Sequence, residues 1–255
     1  MPFEKIDAEK LAGAVIRQIE QLILRGVLRP GDRLPAEREL SEKLGVSRPS
    51  LREAVSELQD RGLLSTKAGA GIYVSEFAGP VVSDVLGKLF ERHEEAVFDF
   101  IAFRRDLEKL AAERAARHGS DTDLAVVASV FSRMEVAHSK RDPSQEAQLD
   151  AEFHLAIIEA SHNVVMLHLM RAMFQMLRDG VFYNRRVMFN QRTTRVELLD
   201  QHRAINDALQ LRDPEAAQRA VDRHLTFVER ALGDEMKSER HEKIARQRLD
   251  SESLR

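Results

Sequence analysis

Glycine is distributed unevenly along the chain, and this distribution most constrains the fold. Eight of the 12 glycines lie in residues 1–79, and only four lie in the 176 residues that follow. Because glycine and proline mark turns, a small, turn-rich domain should precede a long helical one. The segment Phe77-Ala78-Gly79-Pro80 cannot continue a helix or a central strand. We therefore predict domains at 1–75 and 83–235, a linker at 76–82, and a charged, frayed tail at 236–255.

The composition excludes several classes of protein. Of the 255 residues, 43% are hydrophobic, which is enough to form a core. The chain has no cysteine, so disulfide scaffolds, iron–sulfur clusters and thiol nucleophiles are excluded, and a reducing cytoplasm is expected. The longest stretch without a charged residue, 160–170, is too short to span a membrane. A net charge of −3 argues against a general polyanion binder but allows a local basic surface.

Apolar spacing and turn residues predict the elements of the first domain. Leu11, Val15 and Ile19 recur at helical spacing. Gly45 ends a short helix, and Ser47 caps the helix that follows. Helices are predicted at 8–25, 35–44 and 47–60, and strands at 63–66 and 72–75. This order, with a hairpin after the helices, is typical of a winged helix-turn-helix.

The start of the third helix has the layout of a DNA-recognition helix. Such a helix presents its first turns to the major groove, so it needs long hydrogen-bond donors near its N-terminus. Arg48 and Arg52 are four residues apart on one face, and each can pair with guanine edges or reach phosphate. Ser47 and Ser50 can donate to phosphate oxygens.

Residues outside that helix complete the candidate DNA-binding surface. Arg38, on the preceding short helix, is placed to cross the DNA backbone. Gly69 and Gly71 would let the hairpin loop, the wing, approach the minor groove closely. The alternative is that the arginines are ordinary solvated helix residues.

Three stretches carry a family resemblance: residues 33–40 (RLPAEREL), 44–54 (LGVSRPSLREA) and 62–64 (GLL). They closely resemble the winged-helix domain of the GntR superfamily of bacterial transcription regulators. The resemblance implies operator contacts from Arg38, Arg48 and Arg52. It implies supporting contacts from Ser47, Ser50 and Gly69. Pro49 departs from the family, in which many members have threonine there, so no DNA contact is assigned to it.

The second domain is predicted to be helical throughout. Its helices are expected at about 81–91, 95–118, 121–139, 143–160, 163–188, 194–211 and 214–246. Ser120 and Thr194 are expected to cap two of them, and Asp142 and Asp213 each precede a proline at a helix start. Because short loops join long helices, the helices should pack antiparallel. The predicted fold class is mainly α: an N-terminal winged helix-turn-helix plus a C-terminal antiparallel all-α bundle.

Four polar residues of the second domain are expected to point into its core. Asp150 and His154 are four residues apart among apolar neighbours, so their side chains share one inward face. His202 and His224 belong to apolar stripes of two other helices. Three imidazoles and one carboxylate suit a divalent transition metal. The alternatives are hydrogen-bonded core histidines and a simple Asp150–His154 helix pair.

A second resemblance covers this domain. Residues 100–117, with Arg104 among them, are similar to the first block of the FCD effector domain of FadR-type GntR regulators. Asp150, His154, His202 and His224 match its later blocks. The resemblance implies that these four bind a divalent metal, often zinc, which then holds a carboxylate effector. It implies that Arg104 is the cation that pairs with this carboxylate; the alternative is a helix-surface arginine.

Together these features predict a cytoplasmic, homodimeric transcription regulator rather than an enzyme. We expect a repressor that binds a pseudo-palindromic double-stranded operator and controls genes for an acid of the pyruvate, lactate or glycolate type. Residues around 163–167 resemble the branch of the family that regulates such genes. The alternatives are a metal-sensing regulator and a metal-dependent hydrolase.

Overall fold

The computed structural model describes residues 8–67, 71–75, 93–178 and 192–253. The chain forms two compact units, Met1–Val81 and Val82–Arg255. The helix predicted at 81–91, the linker predicted at 76–82, and Gly69 lie outside the described residues. In the part of the chain that the structure describes, we find no helix with the length and apolar content that a membrane span requires.

Helices and a hairpin build the N-terminal unit, as predicted. They are α1 (Ala8–Leu24), α2 (Glu37–Leu44), α3 (Arg48–Asp60), β1 (Leu64–Lys67) and β2 (Gly71–Val74). The two strands are antiparallel, with Leu64 opposite Val74, and each is displaced by one residue from its prediction. Leu51 and Leu58 of α3 are fully buried in the small apolar core that α1 and the strands share. The winged helix-turn-helix is thereby confirmed.

The turn between α2 and α3 is built from local hydrogen bonds. α2 ends at Gly45, whose φ of 66° lies in the left-handed region that glycine adopts at little cost. The Ser47 hydroxyl then accepts a hydrogen bond from the backbone N–H of Ser50, and this caps α3. These bonds set where the first side chains of α3 point.

The described residues of the C-terminal unit form six helices. The helices are α4 (Glu94–His118), α5 (Asp121–Lys140), α6 (Pro143–Ala160), α7 (Val164–Arg178), α8 (Arg192–Gln210) and α9 (Pro214–Ser253). α4 packs against α6 and α9, while α8 packs against α5 and α9. The core between them includes Phe153, Ile205 and Leu225, none of which is exposed to solvent. The predicted helical bundle is confirmed.

Three of the four predicted helix starts in this unit are confirmed. Ser120 and Asp123 form a reciprocal capping box at the start of α5. Asp142 accepts backbone hydrogen bonds at the start of α6, and Asp213 does so at the start of α9. The cap predicted at Thr194 is wrong, because α8 already begins at Arg192. A serine or threonine three residues before a glutamate also occurs inside helices, where the glutamate faces solvent.

The end of the chain differs from its prediction. α9 continues through Ser253, whereas the sequence predicts a helix end near 246. The predicted fraying of residues 236–255 stays a prediction. Every described side chain after Met236 is exposed. Ion pairs one helical turn apart, such as Arg246 with Glu242 at 2.8 Å, support this solvated helix without a buried face.

Candidate DNA-binding surface and buried metal site

The two recognition arginines of α3 are exposed, as a DNA-reading surface requires. The Arg48 side chain makes no hydrogen bond or ion pair with any residue that the structure describes. Arg52 lies one turn later, and its Nε donates to Oε2 of Glu37 at 2.8 Å. This pair links α3 to the start of α2 and holds the Arg52 guanidinium in one place. Both side chains of the pair are exposed to solvent, Arg52 by 68% and Glu37 by 39%.

The other predicted DNA contacts differ in their exposure to solvent. Arg38 is exposed on α2 and lies 3.5 Å from Glu42. Ser47 is exposed, but Ser50 is only 6% exposed and its hydroxyl lies 2.9 Å from that of Ser47. Ser50 therefore supports the cap of α3 from within.

In the C-terminal unit, four predicted metal ligands from three helices converge on one point. One ligand atom from each of Asp150, His154, His202 and His224 lies within 4.8 Å of all the others, and all four residues are buried. The Asp150 Oδ1 atom is 3.1 Å from Nε2 of His202 and 3.8 Å from Nε2 of His154. The alternative of an isolated Asp150–His154 pair is therefore wrong.

The outer nitrogen of each imidazole is held by an acceptor. His154 Nδ1 lies 2.7 Å from Oε2 of Glu108, His202 Nδ1 lies 2.7 Å from the Leu198 carbonyl, and His224 Nδ1 lies 3.1 Å from Oε1 of Gln201. An Nδ1–H of His202 that donates to the Leu198 carbonyl leaves the His202 Nε2 lone pair directed at the centre. The close contact of His154 Nδ1 with the Glu108 carboxylate turns the His154 Nε2 atom to the same side. This is the ring orientation that a metal needs, so the donor set fits a bound cation.

Burial also sets the protonation state of these rings. Burial lowers the pKa of His154, and its effect exceeds that of the neighbouring Glu108 and Asp150 carboxylates, which raise it. Burial lowers the pKa of His224 further, and the charges of His202 and His154 act in the same direction. Neutral imidazoles are the form that binds metals.

Arg104 and Glu108 form a buried ion pair beside the four ligands. Arg104 is 1% exposed, which overturns the alternative of a helix-surface arginine. Its Nε donates to Oε1 of Glu108 at 2.7 Å, and its guanidinium lies 5.0 Å from the centre of the Phe174 ring. Burial raises the pKa of Glu108, but Arg104 and His154 outweigh burial and lower that pKa to about 2. Glu108 is therefore a carboxylate that bridges Arg104 and His154.

A small cavity adjoins the site. Its volume of about 10 Å³ is enough for roughly one water molecule. It is lined by Met134, Glu146, Arg195, Leu199 and His202. Arg195 closes its rim through a two-pronged contact with Glu146: Nη2 donates to Oε1 at 2.7 Å, and Nε donates to Oε2 at 3.1 Å.

Sequence reasoning missed the residues that support the ligands. Glu108 follows Arg104 by four residues, and this spacing was the available signal for a pair on one helix face. Its contact with His154 joins α4 to α6, and the contact of Gln201 with His224 joins α8 to α9. Such contacts between helices have no signal in local spacing.

Comparison with known families agrees with both units. The model described as "Bacterial regulatory proteins, gntR family" matches residues 11–74, and the model described as "FCD domain" matches residues 99–227. The chain belongs to the bacterial gntR family of regulatory proteins and carries an FCD domain.

Relatives align over most of the chain. The Glc operon transcriptional activator of Escherichia coli K12 is 33% identical over 233 residues, which cover 90% of this chain and 92% of that protein. An E. coli K12 protein named for regulation of an L-lactate dehydrogenase operon is 33% identical over 243 residues, or 93% and 92%. A solved structure, Streptococcus agalactiae GntR, has 29% identity and a TM-score of 0.54 over 88% of this chain and all of that one. The family and these relatives are transcription regulators rather than enzymes, which confirms that prediction and removes the hydrolase alternative.

Proposed function

We propose that this chain is a homodimeric repressor that binds a pseudo-palindromic operator and responds to a small carboxylate through a metal in its C-terminal unit. The observation that carries the proposal is the convergence of four buried ligands in a chain whose other unit exposes two arginines at the start of α3. DNA is its partner, so we place its action in the cytoplasm.

The operator is read by side chains at the start of α3. Arg48 and Arg52 reach base edges, where a two-pronged contact with guanine contributes about 1–3 kcal/mol. Arg38 and Ser47 contact phosphates, and Gly69 makes a supporting contact with the DNA. A two-fold dimer presents two such surfaces, which is why the operator should be a pseudo-palindrome.

The metal is held by Asp150, His154, His202 and His224. Nitrogen and oxygen donors without sulfur suit zinc and other divalent transition metals, and we propose zinc. A metal bound there supplies a positive charge at which an organic carboxylate can bind. Glu108, Leu198 and Gln201 orient the three imidazoles toward it.

The effector is a small carboxylate of the pyruvate, lactate or glycolate type. Arg104 provides a second cation near the metal ligands, and its contact with Glu108 must be shared with, or replaced by, the incoming carboxylate. Support for this class of effector comes from the relative named for an L-lactate dehydrogenase operon. Effector binding shifts DNA affinity by its differential affinity for two arrangements of the protein, typically about 1–3 kcal/mol.

A two-part experiment tests the proposal. An operator is first selected from a random duplex library with the zinc-loaded protein, and pyruvate, L-lactate and glycolate are then screened for thermal stabilisation. We expect one acid to stabilise the protein and to release the selected duplex. The variant Arg104→Ala should keep its metal but lose that release. Acid-dependent tightening instead of release would contradict the proposed release of the operator by the acid.

One observation favours a second candidate, a regulator that senses the metal itself. The described part of the site leaves a cavity of about 10 Å³ beside His202, which holds no organic acid without rearrangement. Titrating duplex affinity against zinc with no organic acid present separates the two. A zinc response as large as the acid response would support metal sensing.

A further inference from the structure

A second cavity lies in the N-terminal unit, outside the metal site. It is an open cleft of about 440 Å³ between the start of α2, one side of α3 and the two strands of the wing. Its lining includes Arg33, Glu37, Arg52, Gln59, Thr66 and Gly71. The DNA-binding surface proposed above uses only Arg52 from this set.

Arg33 is the cation on the wing side of the cleft. It is exposed, and its side chain makes no hydrogen bond or ion pair with any residue in the described ranges. Arg52, on the α3 side, is paired with Glu37. With two arginines and one glutamate, the cleft has a net positive charge that suits an anion.

The backbone at Gly71 makes room for Arg33. A Cβ atom on Gly71 would lie 3.1 Å from Nε of Arg33, and the φ of Gly71 is +107°. A side chain at this position would therefore crowd the guanidinium and strain the backbone. Arg33 also pairs through its backbone with Tyr73 of β2, so its guanidinium crosses the base of the wing.

The position of the cleft identifies its ligand. If α3 enters the major groove and the wing approaches the neighbouring minor groove, the sugar–phosphate strand between those grooves must pass between α3 and the wing. We propose that this cleft binds a phosphate of that strand and that Arg33 is the residue that contacts it. The inference rests on the proposed DNA-binding surface and adds to it a contact that carries no base specificity.

The test is the salt dependence of DNA binding by the full-length protein. Affinity for a duplex selected from a random library by the wild-type protein is measured as a function of salt concentration for Arg33→Gln and Arg33→Lys. The slope of log K against log salt concentration is negative. Each lost phosphate contact reduces the magnitude of this slope by about 0.9 for each N-terminal unit bound to the duplex. We expect that loss in Arg33→Gln, an unchanged slope in Arg33→Lys, and unchanged base preference in both.

Arg61→Gln is the matched control. Arg61 is exposed, and Arg61→Gln removes the same charge as Arg33→Gln. Arg61 lies after the last turn of α3, however, and pairs with Glu57 and Glu20. The 13 residues of α3 place it about 20 Å along the helix from Arg48. We expect the salt dependence of DNA binding by Arg61→Gln to match that of the wild-type protein.

A second arm locates the phosphate and tests for a small-anion site. Replacing single phosphates by neutral methylphosphonates should weaken wild type at one backbone position and leave Arg33→Gln unaffected there. An unchanged slope in Arg33→Gln, or an equal loss in Arg61→Gln, would overturn the inference. Arg33-dependent stabilisation by inorganic phosphate, with an unchanged DNA slope, would assign the cleft to a soluble anion instead. If Arg52→Ala loses DNA binding while the salt slope of Arg33→Gln is unchanged, the inference about Arg33 fails but the proposed function stands.

Discussion

Two arginine–glutamate pairs of nearly equal length lie in the two units of this molecule. Arg52 and Glu37 are 2.8 Å apart on the surface of the N-terminal unit, with 68% and 39% of their side chains exposed. Arg104 and Glu108 are 2.7 Å apart in the C-terminal unit, with 2% and 3% exposed. Burial, rather than distance, decides what each pair contributes, because water screens the first pair and not the second.

The contrast explains how each pair can serve the function. An exposed pair contributes less than about 1 kcal/mol, so Arg52 can exchange Glu37 for DNA at little cost. Removing one partner of a buried pair leaves an uncompensated charge. Arg104 can therefore release Glu108 only when another anion takes its place, which is what a carboxylate effector would provide.

The largest expected effect is on metal binding by His202→Ala. A structural zinc site binds with about 10–16 kcal/mol, so one of four ligands accounts for roughly 2.5–4 kcal/mol. We expect the purified variant to lose its metal on dialysis, as measured by elemental analysis. His241→Ala, an exposed histidine on α9, should retain it. Full metal occupancy in His202→Ala would contradict the four-ligand site.

Glu108→Gln and Glu37→Gln compare the two pairs directly. Glu108→Gln should lower the free energy of unfolding by about 3 kcal/mol, because it removes the buried carboxylate that lies 2.7 Å from the Arg104 guanidinium. It should also weaken metal binding about 10- to 100-fold, since Glu108 orients His154.

Glu37→Gln removes the same charge from the exposed pair and should change the free energy of unfolding by less than about 1 kcal/mol. Chemical denaturation of the metal-free proteins measures both variants. Equal losses would show that burial does not separate the pairs.

Arg52→Ala should weaken binding to the selected duplex by about 1–3 kcal/mol and leave the unfolding transition almost unchanged. The reason is that Arg52 is exposed and that its side chain pairs with Glu37, which is itself solvated. Footprinting measures the affinity, and Arg61→Ala serves as the control. Undiminished binding would remove Arg52 from the recognition surface.

A pH dependence of stability is also expected, and it arises in the C-terminal unit. Burial lowers the pKa of His154 and His224 below the value of 6.5 expected in the unfolded chain. Below pH 6.5 the unfolded chain therefore binds protons that the folded, metal-free protein does not. Stability should be full above pH 6.5 and fall by about 1 kcal/mol per pH unit for each histidine below it.

Denaturation between pH 7 and 5 measures this slope. Glu108 does not contribute in that window, because its pKa is lowered to about 2 and its contribution is lost only in stronger acid. His224→Gln should flatten the slope, and His241→Gln should not. A slope unchanged by His224→Gln would show that His224 is not buried in its neutral form.

The helices and their caps were predictable because the interactions that define them are local. Ser47, Ser120 and Asp142 each bond to backbone groups within three residues, so their patterns are legible in the sequence. The cap at Thr194 and the helix end near 246 were wrong. Helix ends depend on small free-energy differences, to which packing and solvation contribute as much as local pattern.

The sequence by itself determined the element types, the apolar faces and the inward direction of Asp150, His154, His202 and His224, because helical periodicity assigns each residue to a face. Only the tertiary structure decided that Glu108 bridges Arg104 and His154, that Ser50 is buried, and that Arg33 lies across Gly71. The Glu108–His154 and Arg33–Gly71 contacts join residues that lie far apart in the sequence. Their formation depends on how the elements pack in three dimensions, and the spacing of residues within one element carries no information about that packing.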